Sequence, residues 1–250
     1  MTAAQAAPVI AGLEGLPFLD DGFAARRLLA LIAAVRYADA RDRGLAAGAS
    51  SAQAGSWLGP ARALMLSTAA TPMPAQPLPP ARRQQVTRAL EQIAAVMPRW
   101  QVLLDLPVRY ALFHPARGAI SASSRDWPQH VLLADQAFAS SRELTEQLLH
   151  ELAHQWLYLI EDIWPLQRPG APALTLPSGT RDRSPAETLG AAHVAATLIR
   201  FYRQQPSDWA AARIAALADY GTGCLDLAGT VCEHLTGEGT IIARQLKEVL

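Results

Sequence analysis

The sequence predicts a predominantly α-helical α+β protein: a helical bundle with a small antiparallel sheet or meander placed just before a metal-binding helix. Three observations predict it. Apolar residues recur at three- and four-residue spacing over long stretches, the signature of helices with a buried face. Between Val102 and Asp135 the period shortens, and strand-like runs alternate with turn residues. The pentapeptide His150-Glu151-Leu152-Ala153-His154 then falls inside the strongest helical pattern of the chain.

Taken in order, Asp20 or Asp21 can cap a first helix through Phe23, Leu28, Leu29, Leu31, Ile32 and Val35, ending near Asp42-Arg43-Gly44. A small-residue loop from Ala46 to Ser56 and a weaker apolar segment from Trp57 to Leu66 follow. Residues 70 to 80 hold five prolines (Pro72, Pro74, Pro77, Pro79 and Pro80), which read as an extended strap. A helix is expected from about Ala81 to Met97. Val108–Phe113, Ala119–Ser123 and His130–Ala134 are the expected strands. Ser140-Ser141-Arg142-Glu143 has the form of a capping box, and Leu144, Leu148, Leu149, Leu152, Trp156, Leu157 and Ile160 carry a helix as far as Pro165. A second capping box, Ser184-Pro185-Ala186-Glu187, opens a helix reaching about Tyr202. On this reading residues 1–80 form an N-terminal helical region with its proline strap and residues 81–250 the catalytic domain, unless the two are one continuous domain.

Composition narrows the function. The chain has 250 residues and zero formal net charge, with no basic patch interleaved with aromatics, so no nucleic-acid partner is expected. No apolar run approaches the roughly 20 residues a membrane helix needs. Met1 to Asp20 lacks a basic flank followed by an apolar core, so no secretion signal is expected and the cytoplasm is the expected location. Cys224 and Cys232 lack CxxC spacing and read as two core thiols.

The pentapeptide carries the chemistry. Four helical residues rotate about 40° and rise about 6 Å, so His150 and His154 leave one face a turn apart and pointing inward, where two imidazoles can bind one cation. Glu151 projects about 100° away, near enough to touch a bound water. A third ligand is required, and Glu187 and His193 are the candidates. They lie about 240° apart on one helix, so both do not face one metal. Glu187 has a structural role in its capping box, whereas His193 sits mid-helix among alanines and leucines, where the bland alternative is a buried imidazole bonded to a carbonyl. His193 is therefore the preferred ligand and Glu187 the alternative.

The run from Leu148 to Glu161, the later run Arg183-Ser184-Pro185-Ala186-Glu187-Thr188-Leu189-Gly190-Ala191-Ala192-His193, and the preceding segments Ile120–Ser124 and Val131–Leu133 resemble the bacterial HExxH-containing peptide-modification proteins, which are 2-oxoglutarate-dependent peptide β-hydroxylases. The resemblance spans roughly residues 100 to 205. It implies Fe(II) on His150, His154 and His193, with 2-oxoglutarate and O2 as cosubstrates and a ribosomally made precursor peptide as substrate, hydroxylated on an unactivated side-chain carbon. Three neutral ligands would leave three octahedral positions for the cosubstrates. The distal carboxylate of 2-oxoglutarate requires a cation, best an arginine fork. Arg181 and Arg183 lead, with Arg109 and Arg200 behind them. Glu151 would then orient a ligand or bound water from outside the coordination shell.

Two other functions compete. A zinc metallopeptidase would use His150, His154 and Glu187 as ligands and Glu151 as general base. An inactive helical peptide-binding module is the second alternative.

Overall fold

A computed structural model describes residues 12–47, 51–68, 73, 75–115 and 118–250. Its architecture is predominantly helical α+β with one small sheet. Packing divides the chain into two compact units, Leu28–Leu159 and Met1–Arg27 with Ile160–Leu250.

The first helix, α1 (Ala25–Asp42), begins later than the aspartates suggest. Asp20 is occupied elsewhere, because its carboxylate accepts the Leu16 amide at 2.7 Å. Asp21 pairs with Arg200. The expected stop holds: Gly44 has φ +71°, and amide bonds from Gly44 to the Arg41 carbonyl and from Leu45 to the Ala40 carbonyl close a Schellman end. The loop expected from Ala46 to Ser56 instead contains a short helix, α2 (Ser51–Gly55), followed by α3 (Pro60–Leu66). Of the strap prolines, Pro72 and Pro74 lie outside the described residues. Pro77 belongs to a two-residue strand, β1 (Gln76–Pro77), and Pro79 and Pro80 start α4 (Pro80–Val96), where a missing amide costs a helix nothing. A short α5 (Gln101–Leu104) follows.

The sheet contains β1, β2 (Arg109–Leu112), β3 (Ser121–Ala122) and β4 (His130–Leu133), in the order β1-β2-β4-β3. It is mixed, not a pure antiparallel meander. β3 pairs antiparallel with β4 as a hairpin partner should, but β2 and β4 run parallel, with Arg109 opposite His130. The long connection from Phe113 to Gln129 permits this crossover, and β3 lies within it. All four residues of β4 are buried, as expected for an interior strand flanked on both sides.

The HExxH helix is α6 (Ser141–Glu161), and Ser140 caps it by accepting the Glu143 amide at 3.0 Å. Buried polar side chains join it to its neighbours. Gln155 accepts the Gln129 amide at 2.8 Å and donates to the His130 carbonyl at 3.2 Å, so one carboxamide closes two backbone groups at the start of β4. Trp156, fully buried, donates its indole N–H to the Leu103 carbonyl at 3.0 Å. Gln129 itself has φ +58° and is held by its own carboxamide, which donates to the carbonyls of Leu58 and Pro107 (2.7 and 2.6 Å) and accepts from the buried Arg36.

In the other unit, α7 (Pro185–Tyr202), α8 (Asp208–Gly229) and α9 (Gly237–Val249) pack on one another. α7 is apolar almost all round, and nearly every residue is buried, which makes it the central helix. Small residues allow close packing: a Cβ on Gly221 of α8 would lie 3.1 Å from that of Ala195 in α7. Only one of the two cysteines is a core thiol. Cys224 is buried, and burial pushes its thiol up to about 11, whereas Cys232 is exposed because α8 ends at Gly229 before reaching it. Among the described residues, no helix is long and apolar enough to cross a membrane.

Replacing Gln155 by Leu keeps the bulk but orphans the Gln129 amide and the His130 carbonyl. A loss of about 2–4 kcal/mol in urea unfolding is expected. A loss below half a kcal/mol would remove Gln155 as the tie between helix and strand.

Candidate functional site

α6 buries most of its surface, but Glu143, Gln147, His150, His154 and Tyr158 are only half-buried. Their spacing of four, three, four and four residues is one stripe of a helix. The imidazoles therefore do not point into the core, as their apolar neighbours suggested. They line an accessible polar seam. The two rings are adjacent, with centroids 4.9 Å apart and planes at 65°. Tyr158 stacks on His154 at 5.8 Å, nearly parallel.

Glu151 takes the opposite course. It is 2% exposed, and one carboxylate oxygen lies 2.5 Å from the Ser121 hydroxyl of β3. The same hydroxyl lies 2.6 Å from Oε1 of Gln147, whose amide donates to Glu143 at 2.8 Å. A serine has one proton, so Ser121 donates to one of these acceptors at a time. The chain Glu143–Gln147–Ser121–Glu151 fixes the polar stripe of α6 against the edge strand. Ser121, Gln147 and Tyr158 were not singled out from sequence. The two α6 residues were within reach, since both fall three or four residues from the histidines. Ser121 was not, because its partners lie far along the chain.

The second capping box is present as expected. Ser184 accepts the Glu187 amide at 3.2 Å, and Glu187 accepts the Ser184 amide at 2.8 Å. The other Glu187 oxygen accepts from Arg183 at 2.7 Å. Burial alone would raise this carboxyl, but the Ser184 amide and the Arg183 guanidinium outweigh it and hold it below the ordinary value. Both oxygens of the alternative ligand are thus engaged. Of the arginines proposed for a cosubstrate, Arg181 is exposed and Arg183 is bound to Glu187. Arg200 is bound to Asp21 and the Phe18 carbonyl, and Arg109 is exposed on β2.

His193 is 0% exposed in α7, and it has a structural partner that its sequence neighbours concealed: Nε2 lies 2.8 Å from the Pro17 carbonyl. A carbonyl only accepts, so Nε2 carries the proton and Nδ1 is left with a bare lone pair. Nδ1 is buried and has no hydrogen-bond partner. Desolvation lowers the ring to about 4, against the pull of Pro17 and Asp20, so it is neutral at physiological pH.

These donors suit a borderline divalent cation in kind. A ligating histidine commonly donates its second nitrogen to a backbone carbonyl, as His193 does, and the paired rings of α6 are neighbours. Among the described residues, however, no three His, Cys, Asp or Glu side chains are gathered as a group that could hold a metal ion. No protein-family model and no curated protein matches the chain.

Two measurements follow from this chemistry. Because the folded His193 titrates near 4 and the unfolded ring near 6.5, the unfolded chain takes up the proton first. Stability of the metal-free protein is thus full above about 6.5 and falls by up to about 3 kcal/mol toward pH 4. That slope should flatten in His193→Asn, and parallel curves for the two proteins would refute it. Glu187→Gln should cost about 1 kcal/mol through the cap, and its effect should shrink as falling pH protonates the wild-type carboxylate. A variant as stable as wild type at neutral pH would deny Glu187 that role.

Proposed function

We propose that the chain is an Fe(II)/2-oxoglutarate-dependent hydroxylase that modifies an unactivated side-chain carbon of a ribosomally made precursor peptide. The metal would rest on His150 and His154, with Nδ1 of His193 as the third donor. A cytoplasmic setting belongs to the same proposal. One observation carries the choice over hydrolysis: the carboxylate of Glu151 is turned into the protein and bound by Ser121. The peptidase reading needs that carboxylate beside its zinc-bound water and Glu187 as its third ligand, yet Glu187 is committed to its helix cap and to Arg183.

The residues divide the work as follows. His150 and His154 present two imidazoles on the open stripe, and Tyr158 stacked on His154 restricts that ring's rotation. Glu151, through Ser121, holds the helix against β3, so the imidazoles keep their position while substrate enters. The Pro17 carbonyl selects the His193 tautomer in which Nδ1 is free of a proton. Arg183 and Arg181 are the proposed anchors of the cosubstrate's distal carboxylate, and Arg183 would exchange or share its Glu187 partner. When bound, iron with 2-oxoglutarate and O2 would supply the oxidising power for hydroxylating a C–H bond, with succinate and carbon dioxide as the co-products.

Anaerobic reconstitution with Fe(II) and 2-oxoglutarate should give a weak visible charge-transfer band, and air should then release succinate. Peptide cleavage with zinc and no such band would establish the peptidase instead. His193→Ala should empty the metal site while Glu187→Gln leaves it filled; the reverse pattern would exchange the two ligands. Replacing Arg183 or Arg181 should raise the 2-oxoglutarate concentration needed for half-saturation, and unchanged saturation in both would exclude them.

A further inference from the structure

A cavity of about 410 Å³ lies where β1 gives way to α4, within the unit Leu28–Leu159. Its origin is local. β1 pairs only as Gln76 with Leu112 and Pro77 with Ala111, and the consecutive prolines 79 and 80 then turn the chain into α4. Tyr110 and Arg109 of β2 therefore extend past the end of β1, and the space beside them is floored by α4.

The lining combines two chemistries. Leu78, Val86, Leu90 and Val108 give apolar walls, while Arg83 and Arg109 bring two guanidinium groups. Among the described residues, no aspartate or glutamate lines the cavity, so the two positive charges are not neutralised by its lining. Arg83 is steadied by donating one N–H to the Leu78 carbonyl at 2.9 Å, which leaves other donors of its fork for a ligand. Arg109 is exposed, and among the described residues its guanidinium has no carboxylate partner. Pro77, Thr87 and Tyr110 complete the lining, and the last two carry hydroxyls. Burial raises the Tyr110 phenol well beyond its usual range, so that hydroxyl keeps its proton and can donate.

We propose that this cavity binds a small amphipathic carboxylate, with its apolar body against Leu78, Val86, Leu90 and Val108 and its carboxylate on Arg83 and Arg109. The volume lies in the range of small-molecule sites, and a planar carboxylate matches a guanidinium fork better than any neutral or cationic head group. Two cations without an acid between them repel amines. The apolar walls disfavour short, highly hydrated dianions, whose second charge would be desolvated without a partner. The site shares no residue with the HExxH stripe or with the leading cosubstrate anchors Arg181 and Arg183, and it assigns Arg109, a lesser candidate for that anchor, to a different carboxylate.

The test uses the full metal-free chain and backbone NMR, with octanoate as probe. Saturable one-site binding is expected, with the largest shifts at 108–110 and 83–90. Octylamine, 1-octanol and 2-oxoglutarate should each bind at least about tenfold more weakly, and Arg109→Ala and Arg109→Glu should weaken octanoate by about tenfold or more. Arg109 is exposed, so these variants keep the fold, which the unperturbed part of the spectrum verifies. Equal binding of octylamine or octanol, tighter binding of 2-oxoglutarate, undiminished binding in Arg109→Ala, or no saturation below the micelle-forming range would each overturn the proposal.

Discussion

The accessible stripe of α6 has its position because the hidden side of the same helix is tied to backbone. Gln155 saturates an amide and a carbonyl at the entrance to β4, and Trp156 saturates a carbonyl of α5. Such bonds contribute little net energy when made and cost far more when broken, since a buried backbone group cannot recover its water. They therefore fix rotation and register more than they add stability. A helix held only by leucines can turn by a fraction of a residue and keep its core contacts. Here such a turn would break three buried hydrogen bonds together. Glu151 and Ser121 add a fourth tie, from the edge strand β3 beside β4. Two histidines in a fixed direction are the outcome.

Much of this was legible in the chain and some was not, for reasons that differ by residue. The extents of α4, α6 and α7, both serine caps and the Gly44 terminus follow from local chemistry: side-chain oxygens near orphan amides, apolar spacing and a glycine where φ is positive. The start of α1 failed because both aspartates that can cap are committed elsewhere, Asp20 to the Leu16 amide one turn before it and Asp21 to Arg200 far along the chain. The parallel pairing of β2 and β4 failed similarly. Three short strands in succession suggest a meander, and only the long crossover decides otherwise. The histidine pair was read correctly as one face of a helix, but which face meets solvent depends on what covers the rest.

His193 shows the same division. Its burial was readable from the alanines and leucines around it, and its partner was not, because Pro17 lies near the opposite end of the chain. The bond to that carbonyl resolves a choice every neutral imidazole faces, namely which nitrogen keeps its hydrogen. An imidazole fully removed from water, neutral and with one bare nitrogen, is costly to maintain unless something accepts that lone pair.

The crossover between β2 and β4 has an implication of its own. Parallel neighbours oblige the chain to leave β2 and return, and Ser121 lies on that detour, in the edge strand β3 opposite Leu133. A change in the excursion that slides β3 along β4 would shift the hydroxyl that restrains Glu151 while leaving the register of β2 on β4 untouched. Selection thus has a place to retune the surroundings of the imidazoles without rebuilding the protein that carries them.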